Sequence, residues 1–508
     1  MSSSLSNRQR DLTWDGLPRE IRVLILEALV QDGCGLSRLA TVSREWQTEL
    51  ERHNFARIKL TPSRLVDFNS IIHRNRAFVG YIWFCLELDE YDCTKCAPAG
   101  SVDDYEEATT ITDTDYCPIT TSFHTLFSIL STWDLTNNLV LDISIYSPSD
   151  SEHWFKYLTF MPDAPLDPLD GRHSIDQMIL KKPVYHDPQH GWVDGSRHSA
   201  PPRGAVIKNF HSIMEEGPFD SDQAELQWWD QLPSVPAVTT LLLRQQNRRR
   251  WRPEALAHMF ARFPRLQEVH YEPWREWDSM KRHTDRKYLY LFESIQRFNS
   301  NLKRLVVFEN FNQQYPVTMQ RFQFGVDLAQ CDSIRNPTPA VSRMVALASL
   351  KLEHLAASFV VDASDFFNIE HSWEWPNLTS LVLTSKLLTP DQDPIKIGAM
   401  LQAAAVVATK MPQLTAMEIW NGRKGLAALF KYQVFRDTRQ AIIIWRGTWN
   451  FVMEPSTVQA WEELLDGATI KSHGDAIRYL MLSGQVIRPI SLQQIQIEQK
   501  ALEGVKTV

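Results

Sequence analysis

The chain has 508 residues, 44 % of them hydrophobic and 22 % charged, enough to bury one long array or several compact domains. Its 53 basic and 61 acidic residues leave a formal charge of -8, which suits nucleic acid poorly, because phosphate binding needs a concentrated positive field. Six cysteines in this length argue against a disulfide scaffold, and no run approaches the ~18 apolar residues of a membrane span.

Residues 1–10 are polar and Ser-rich and read as a disordered N-terminus with no secretory signal, so cytoplasm or nucleus is the expected location. Residues 11–60 carry the sharpest pattern. Pro18 suits the start of a helix, where its fixed φ helps and its missing N–H does no harm. Ile21, Leu24, Ile25, Ala28 and Leu29 then recur at the spacing of an amphipathic helix. Asp32-Gly33-Cys34-Gly35 breaks it, and Leu36, Leu39, Val42, Ser43 and Trp46 mark a second helical segment, with Leu50 and Phe55 extending its apolar face. So few turns bury too little surface to be stable alone and should pack on something, either the domain that follows or a partner.

These residues resemble the F-box motif. Its pattern is matched by Leu17-Pro18-Arg19-Glu20-Ile21, by Ile25-Leu26-Glu27-Ala28-Leu29, and by a Leu-rich stretch ending in Val42-Ser43-Arg44-Glu45-Trp46. The resemblance implies docking to a Skp-family adaptor through Leu17, Pro18, Ile21, Ile25, Leu26, Leu29, Leu39, Val42 and Trp46, some of which must serve the module's own core instead. An apolar helix face of this kind works as a helix-in-groove element with a few large anchors, here Trp46 and Leu17.

Residues 61–454 are expected to form a substrate-recognition region. Strands are predicted over 79–88 and 139–146. The Asp-, Pro-, Gly- and Ser-rich stretches 89–118 and 147–202 read as long insertions, partly disordered. Beyond them a short pattern recurs: a turn, then an apolar residue, then an alternating strand. It appears as Val235-Pro236-Ala237-Val238, Phe263-Pro264-Arg265-Leu266, Ser300-Asn301-Leu302, Trp375-Pro376-Asn377-Leu378 and Met411-Pro412-Gln413-Leu414, with a weaker copy over 350–355 and a last strand over 441–445. Helical patterns fall between them over 253–263, 288–298 and 395–411. Strand and helix alternating at this period predict an α/β chain with parallel strands on one face and helices on the other. The pattern resembles irregular leucine-rich repeats, although the spacing is long and the Asn position of that family is not evident. The other architecture is an ordinary doubly wound α/β domain, here without Gly-rich phosphate turns. Residues 455–508 read as a helical cap, with helices over 458–465 and 474–482, and a polar tail. Over much of its length, including Tyr91-Asp92-Cys93-Thr94-Lys95-Cys96 and the stretch from Tyr146 to His153, the chain resembles large fungal F-box proteins.

Chemistry-bearing clusters are few. Cys93-x-x-Cys96, with Cys85 and Cys117 nearby, is half a zinc knuckle whose second pair is wrongly spaced, so a loop with reduced thiols is expected. His186-Asp187-Pro188-Gln189-His190 offers two imidazoles and a carboxylate, but Pro188 and Gly191 place them on a loop rather than a rigid helix, and no metal or other cofactor is expected. No nucleophile-elbow pattern appears. Arg244 and Arg248-Arg249-Arg250-Trp251-Arg252 form the one dense basic cluster, expected as a solvated loop, a nuclear-import signal or a contact for an acidic partner, a phosphorylated segment or nucleic acid. Of 17 tryptophans, Trp274, Trp277 and Trp420 fall just past predicted strand ends. With Arg249 and Arg250 they are the expected substrate surface.

The resemblance therefore implies the substrate-recognition subunit of a cullin–Skp–F-box ubiquitin ligase, binding an adaptor and, through it, a cullin. It would act by positioning a protein substrate rather than by bond chemistry. The other readings are an adaptor-bound scaffold outside any ligase, and an enzyme whose N-terminal helices are incidental.

Overall fold

Proline opens six of the described α-helices, Pro62–Ile72, Pro118–Leu130, Pro253–Ala261, Pro339–Ala348, Pro394–Ala408 and Pro455–Glu462, always in the first turn, where no intrahelical N–H is lost. The structure, a computed structural model, describes residues 13–31, 36–93, 118–133, 138–156, 158, 160, 184–199, 201–210, 212–214, 219, 221–275, 281–311, 336–370, 372–423, 426–436 and 440–464.

The chain starts with helices α1 (Arg19–Gln31), α2 (Leu36–Leu39) and α3 (Arg44–Ala56). Ser43 caps α3 by accepting the Trp46 N–H at 3.3 Å, which stops one orphan donor from facing water unpaired. Both α1 and α2 pack on α3, where Leu26 and Leu50 are buried. Helix α3 runs without a loop into strand β1 (Arg57–Leu60), so the helical start is joined directly to the sheet.

An eleven-stranded sheet follows: β1, β2 (Tyr81–Glu87), β3 (Leu139–Tyr146), β4 (Val238–Leu243), β5 (Glu268–Tyr271), β6 (Arg304–Phe308), β7 (His354–Asp362), β8 (Ser380–Thr384), β9 (Ala416–Arg423), β10 (Leu426–Phe435) and β11 (Gln440–Gly447). Order in the sheet is order in the chain. All pairs through β8–β9 are parallel, and the last two are antiparallel. A doubly wound sheet must reverse its order at a switch point; this one does not, so that alternative is set aside.

The recurring turn-and-strand pattern has a common geometry. Its apolar residues Val238, Leu266, Leu302, Leu352, Leu378 and Leu414 are all buried. In five of the copies the N–H of that residue donates to the carbonyl three residues before it: Leu266 to Phe263, Leu302 to Asn299, Leu352 to Ser349 and Leu414 to Met411, each at 3.0 Å, and Val238 to Val235 at 3.4 Å. The next residues form a ladder at 2.8 Å, with Gln267 donating to Thr239, Lys303 to Gln267, Glu353 to Lys303, Thr379 to Glu353 and Thr415 to Thr379. The register is thereby the same from strand to strand: Glu268, Arg304, His354, Ser380 and Ala416 lie side by side.

Alternation then sorts the two sheet faces. Leu241, Val269, Leu305, Leu355, Leu381 and Met417 join one continuous core with Leu256, Phe292, Val345 and Leu401 of the intervening helices. On the opposite face Thr240, His270, Val306, Ala356, Val382 and Glu418 are half-buried.

Several boundaries differ from the sequence reading. The helix expected over 288–298 starts at Lys281, and helices Pro118–Leu130, Asp222–Gln231 and Pro339–Ala348 were not anticipated. Strand β10 was also missed, because it follows β9 by a hairpin and lacks the preceding Pro turn. Of the two expected insertions, 94–117 lies outside the described residues, whereas 147–156 and 184–199 form turns and a short hairpin. The helix expected at 458–465 spans Pro455–Glu462; the one at 474–482 lies outside the described residues. No described helix is long and apolar enough to cross a membrane.

Candidate functional site

The nine residues expected to meet an adaptor separate into two groups. Leu26 is 1 % exposed and belongs to the module's own core. Trp46 is half-buried and packs on Trp14, ring centroids 4.9 Å apart, while Trp14 donates its indole N–H to Glu45 Oε2 at 3.1 Å. Glu45 also accepts from Arg22 Nε at 3.0 Å, so these side chains lock α1 onto α3. Leu17, Leu29 and Leu39 are half-buried. The outward group is Pro18, Ile21, Ile25 and Val42, with the last three 43 %, 36 % and 60 % exposed. Leu24, 58 % exposed, joins them; its i+3 relation to Ile21 was the signal for it.

The expected substrate residues that the structure describes do not form an exposed surface. Trp274 is buried, donates its indole N–H to the Gln245 carbonyl at 2.7 Å, and lies under the Arg248 guanidinium, 4.0 Å from ring to Cζ. Trp420 is buried in a cluster with Phe308, Phe311 and Phe359 and donates to Ser358 Oγ at 3.3 Å. Trp277 lies outside the described residues. Arg249 is 3 % exposed in its side chain and grips Asp150 through both terminal nitrogens. Arg250, half-buried, donates to Ser212 Oγ at 2.7 Å. Arg244 pairs with the fully buried Asp142 at 2.7 Å, and Arg252 with Asp222 and Glu225. The basic cluster is thus neither a solvated loop nor a docking patch. Each arginine meets a carboxylate, an oxygen or an aromatic face from another segment, because desolvated charge must be paired.

Asp150 is the hub of that arrangement. Besides Arg249 it accepts the Tyr91 hydroxyl at 2.9 Å and the Ser147 N–H at 3.0 Å. The Tyr91 N–H donates to Ser149 Oγ at 3.0 Å. Burial first, then the Asp150 charge, holds the Tyr91 phenol above its ordinary range, so it stays a donor. The segment after β2 is thereby fixed against the turn after β3.

On this platform three potential metal ligands converge. Cys93 Sγ lies 3.5 Å from His153 Nδ1 and 3.2 Å from His190 Nε2, and the three ligand atoms are all within 4.8 Å of one another. His153 Nε2 is 3.1 Å from the Tyr91 carbonyl, and His190 Nδ1 is 2.8 Å from Asp187 Oδ2, which also takes Lys156 Nζ at 2.7 Å. Burial pushes the Asp187 carboxyl up, but the bonds from Lys156 and His190 outweigh it and bring it to about 2. His190 is buried; Cys93 and His153 are half-buried. The sequence reading divided this group between a Cys-x-x-Cys half-knuckle and a His-Asp-Pro-Gln-His loop and expected no site from either. Cys85 is fully buried in β2 on its own, and Cys96 and Cys117 lie outside the described residues.

A polar cavity of about 180 Å³ sits at the C-terminal ends of β7, β8 and β9, lined by Asp362, Ser385, Lys386, Gln392, Asn421 and Arg423. It opens where β7 bulges: the register shifts between Ala357 and Asp362, and Phe359 takes a φ of +62°. Asp362 accepts from the N–H groups of Ser364 and Lys386 and anchors the rim.

The family model described as Family of unknown function (DUF6546) matches residues 297–488, less than half of the chain and all of it in the later part of the sheet and beyond. No curated protein matches the chain.

Proposed function

We propose that this chain is the substrate-recognition subunit of a cullin–Skp–F-box ubiquitin ligase, with an F-box at its start and an irregular leucine-rich-repeat-like βα solenoid after it. The observation that carries the proposal is the exposure of the apolar residues Pro18, Ile21, Leu24, Ile25 and Val42, which fall within the Leu-Pro, Ile-Leu and Val-Ser-x-x-Trp pattern of the motif. Isolated apolar side chains on a surface need no explanation, but a helical row of them, Ile21, Leu24 and Ile25, within a motif of this spacing is what helix-in-groove docking uses. The solenoid reading is supported by sheet order following chain order, and by the same turn and the same register recurring at each strand.

In this mechanism the chain makes and breaks no bonds. Because α3 continues directly into β1, an adaptor held on the first helices stands at a fixed orientation to the sheet. A substrate bound on the half-buried sheet face or at the polar cavity is then presented to the ubiquitin-charged enzyme at high effective concentration. The test is co-expression with a Skp adaptor and a cullin, followed by purification of the chain. Recovery of both partners, and loss of both in a Leu17→Ala/Pro18→Ala variant with unchanged circular dichroism, supports the proposal. Recovery of adaptor without cullin moves the chain to a scaffold outside the ligase, and recovery of neither by the wild type refutes it.

A further inference from the structure

Two imidazoles facing one thiol pose a problem of proton counting. His153 Nε2 faces the Tyr91 carbonyl and His190 Nδ1 faces the Asp187 carboxylate, and both oxygens can only accept. Each neutral ring therefore carries its proton on that outer nitrogen, and each inner nitrogen turns a lone pair toward Cys93 Sγ, at 3.5 Å and 3.2 Å. A thiol has one proton and can satisfy only one of them. We propose that Cys93, His153 and His190 are ligands of a zinc ion that lies between them.

The spacing fits that ion. Zinc bonds of about 2.3 Å to sulfur and 2.0–2.1 Å to nitrogen, opened to a tetrahedral angle, put sulfur and nitrogen about 3.5 Å apart. The two observed sulfur–nitrogen separations match this, and the three ligand atoms all lie within 4.8 Å of one another. The outer contacts are also those of metal-bound histidines, which give their second N–H to a carboxylate or a backbone carbonyl, fixing tautomer and ring plane. One thiolate with two imidazoles selects zinc over calcium or magnesium, which take oxygen. The Cys93 thiolate offsets part of the ion's charge, and the Asp187 carboxylate behind His190 is held in place by Lys156 at 2.7 Å. These ligands fill three positions of a four-coordinate ion; Cys96 lies outside the described residues, and the site rests on the three named here.

The role is structural. The ligands come from the segment after β2, the turn after β3 and the 184–199 hairpin, with Cys93 separated from His153 by 60 positions and from His190 by 97. One ion would tie these segments together over the Asp150 hub. The same geometry read without metal is a Cys93–His190–Asp187 nucleophile arrangement, but that has no use for His153, which approaches the sulfur as His190 does. The inference does not depend on adaptor docking.

The full chain, purified from zinc-supplemented medium without chelator, is expected to carry about one zinc per molecule by mass spectrometry of the metal. Replacing zinc by cobalt is expected to give the near-ultraviolet thiolate-to-cobalt absorption, which Cys93→Ser abolishes and Cys85→Ser leaves intact. Zinc removal is expected to lower the melting temperature by about 5 °C or more and to speed alkylation of Cys93 at least tenfold. A wild-type chain that takes up neither metal overturns the inference, as does a Cys93→Ser chain that keeps its zinc. Alkylation of Cys93 at the same rate with and without zinc overturns it too and leaves the nucleophile reading. Should the Cys93 and histidine variants fail to fold, the cobalt spectrum and the alkylation rates of the wild type still decide.

Discussion

Replacing Arg249 separates a docking residue from a structural one. Its guanidinium and the Asp150 carboxylate are 3 % and 1 % exposed. In Arg249→Met the carboxylate stays buried, keeps the Tyr91 and Ser147 donors at 2.9 and 3.0 Å, and loses both nitrogens of its cation. Breaking a buried pair from one side costs about 3–5 kcal/mol, and the two surviving donors place this case near about 3 kcal/mol. Urea denaturation followed by tryptophan fluorescence, with Asp150→Asn and the double variant completing a cycle, measures it. A coupling of about 2 kcal/mol or more is expected. A cost below about 0.5 kcal/mol, the range of ordinary surface substitutions, would refute the reasoning and return Arg249 to the substrate surface.

Other consequences follow the same logic. Trp420→Ala should destabilise the chain by about 3–5 kcal/mol, as large aromatic deletions in a core do, and leave adaptor affinity unchanged; loss of substrate binding with full stability would contradict its placement. His354 is driven down to about 4 by burial first and by Arg304 and His270 second. The unfolded chain therefore takes a proton there that the folded chain refuses. Stability should fall as pH drops from 6.5 toward 4, by up to about 3 kcal/mol, and urea midpoints at pH 7.5 and 5.0 should converge in His354→Gln. The Cys85 thiol, pushed up to about 12 mainly by burial, should resist iodoacetamide at pH 8 in the native chain and react once it is unfolded; mass mapping of the labelled peptide reads this directly.

The strands were legible because their signal is local. A turn residue, a buried Leu and period-two alternation occur together in the sequence, and Leu139–Tyr146 matches its predicted span. The apolar stripe of α1 was legible for the same reason, since Ile21, Leu24 and Ile25 share one face. What failed was anything decided by partners distant in sequence. Arg249 meets Asp150 across 99 positions and Arg244 meets Asp142, so a run of arginines that looks solvated is desolvated by carboxylates from another strand end. Trp274 does follow a strand but is covered by Arg248 and Phe210, and Trp420 falls inside β9, packed against Phe308, Phe311 and Phe359. The metal-ligand group shows the same limit: Cys93, His153 and His190 lie on three segments, each too weak alone to mark a site, and only the sheet brings them together.

Titration of purified Skp adaptor against the full chain, by calorimetry, tests the central claim most directly. Ile25→Asp removes an exposed apolar contact and adds a charge; burial of one such side chain is worth about 1.5–3 kcal/mol, so affinity should drop at least about tenfold. Val406→Asp, also on an exposed apolar position, 62 % exposed on the helix Pro394–Ala408, should bind as the wild type does. A wild-type chain that does not bind the adaptor, or an Ile25→Asp chain that binds it undiminished, would contradict the account.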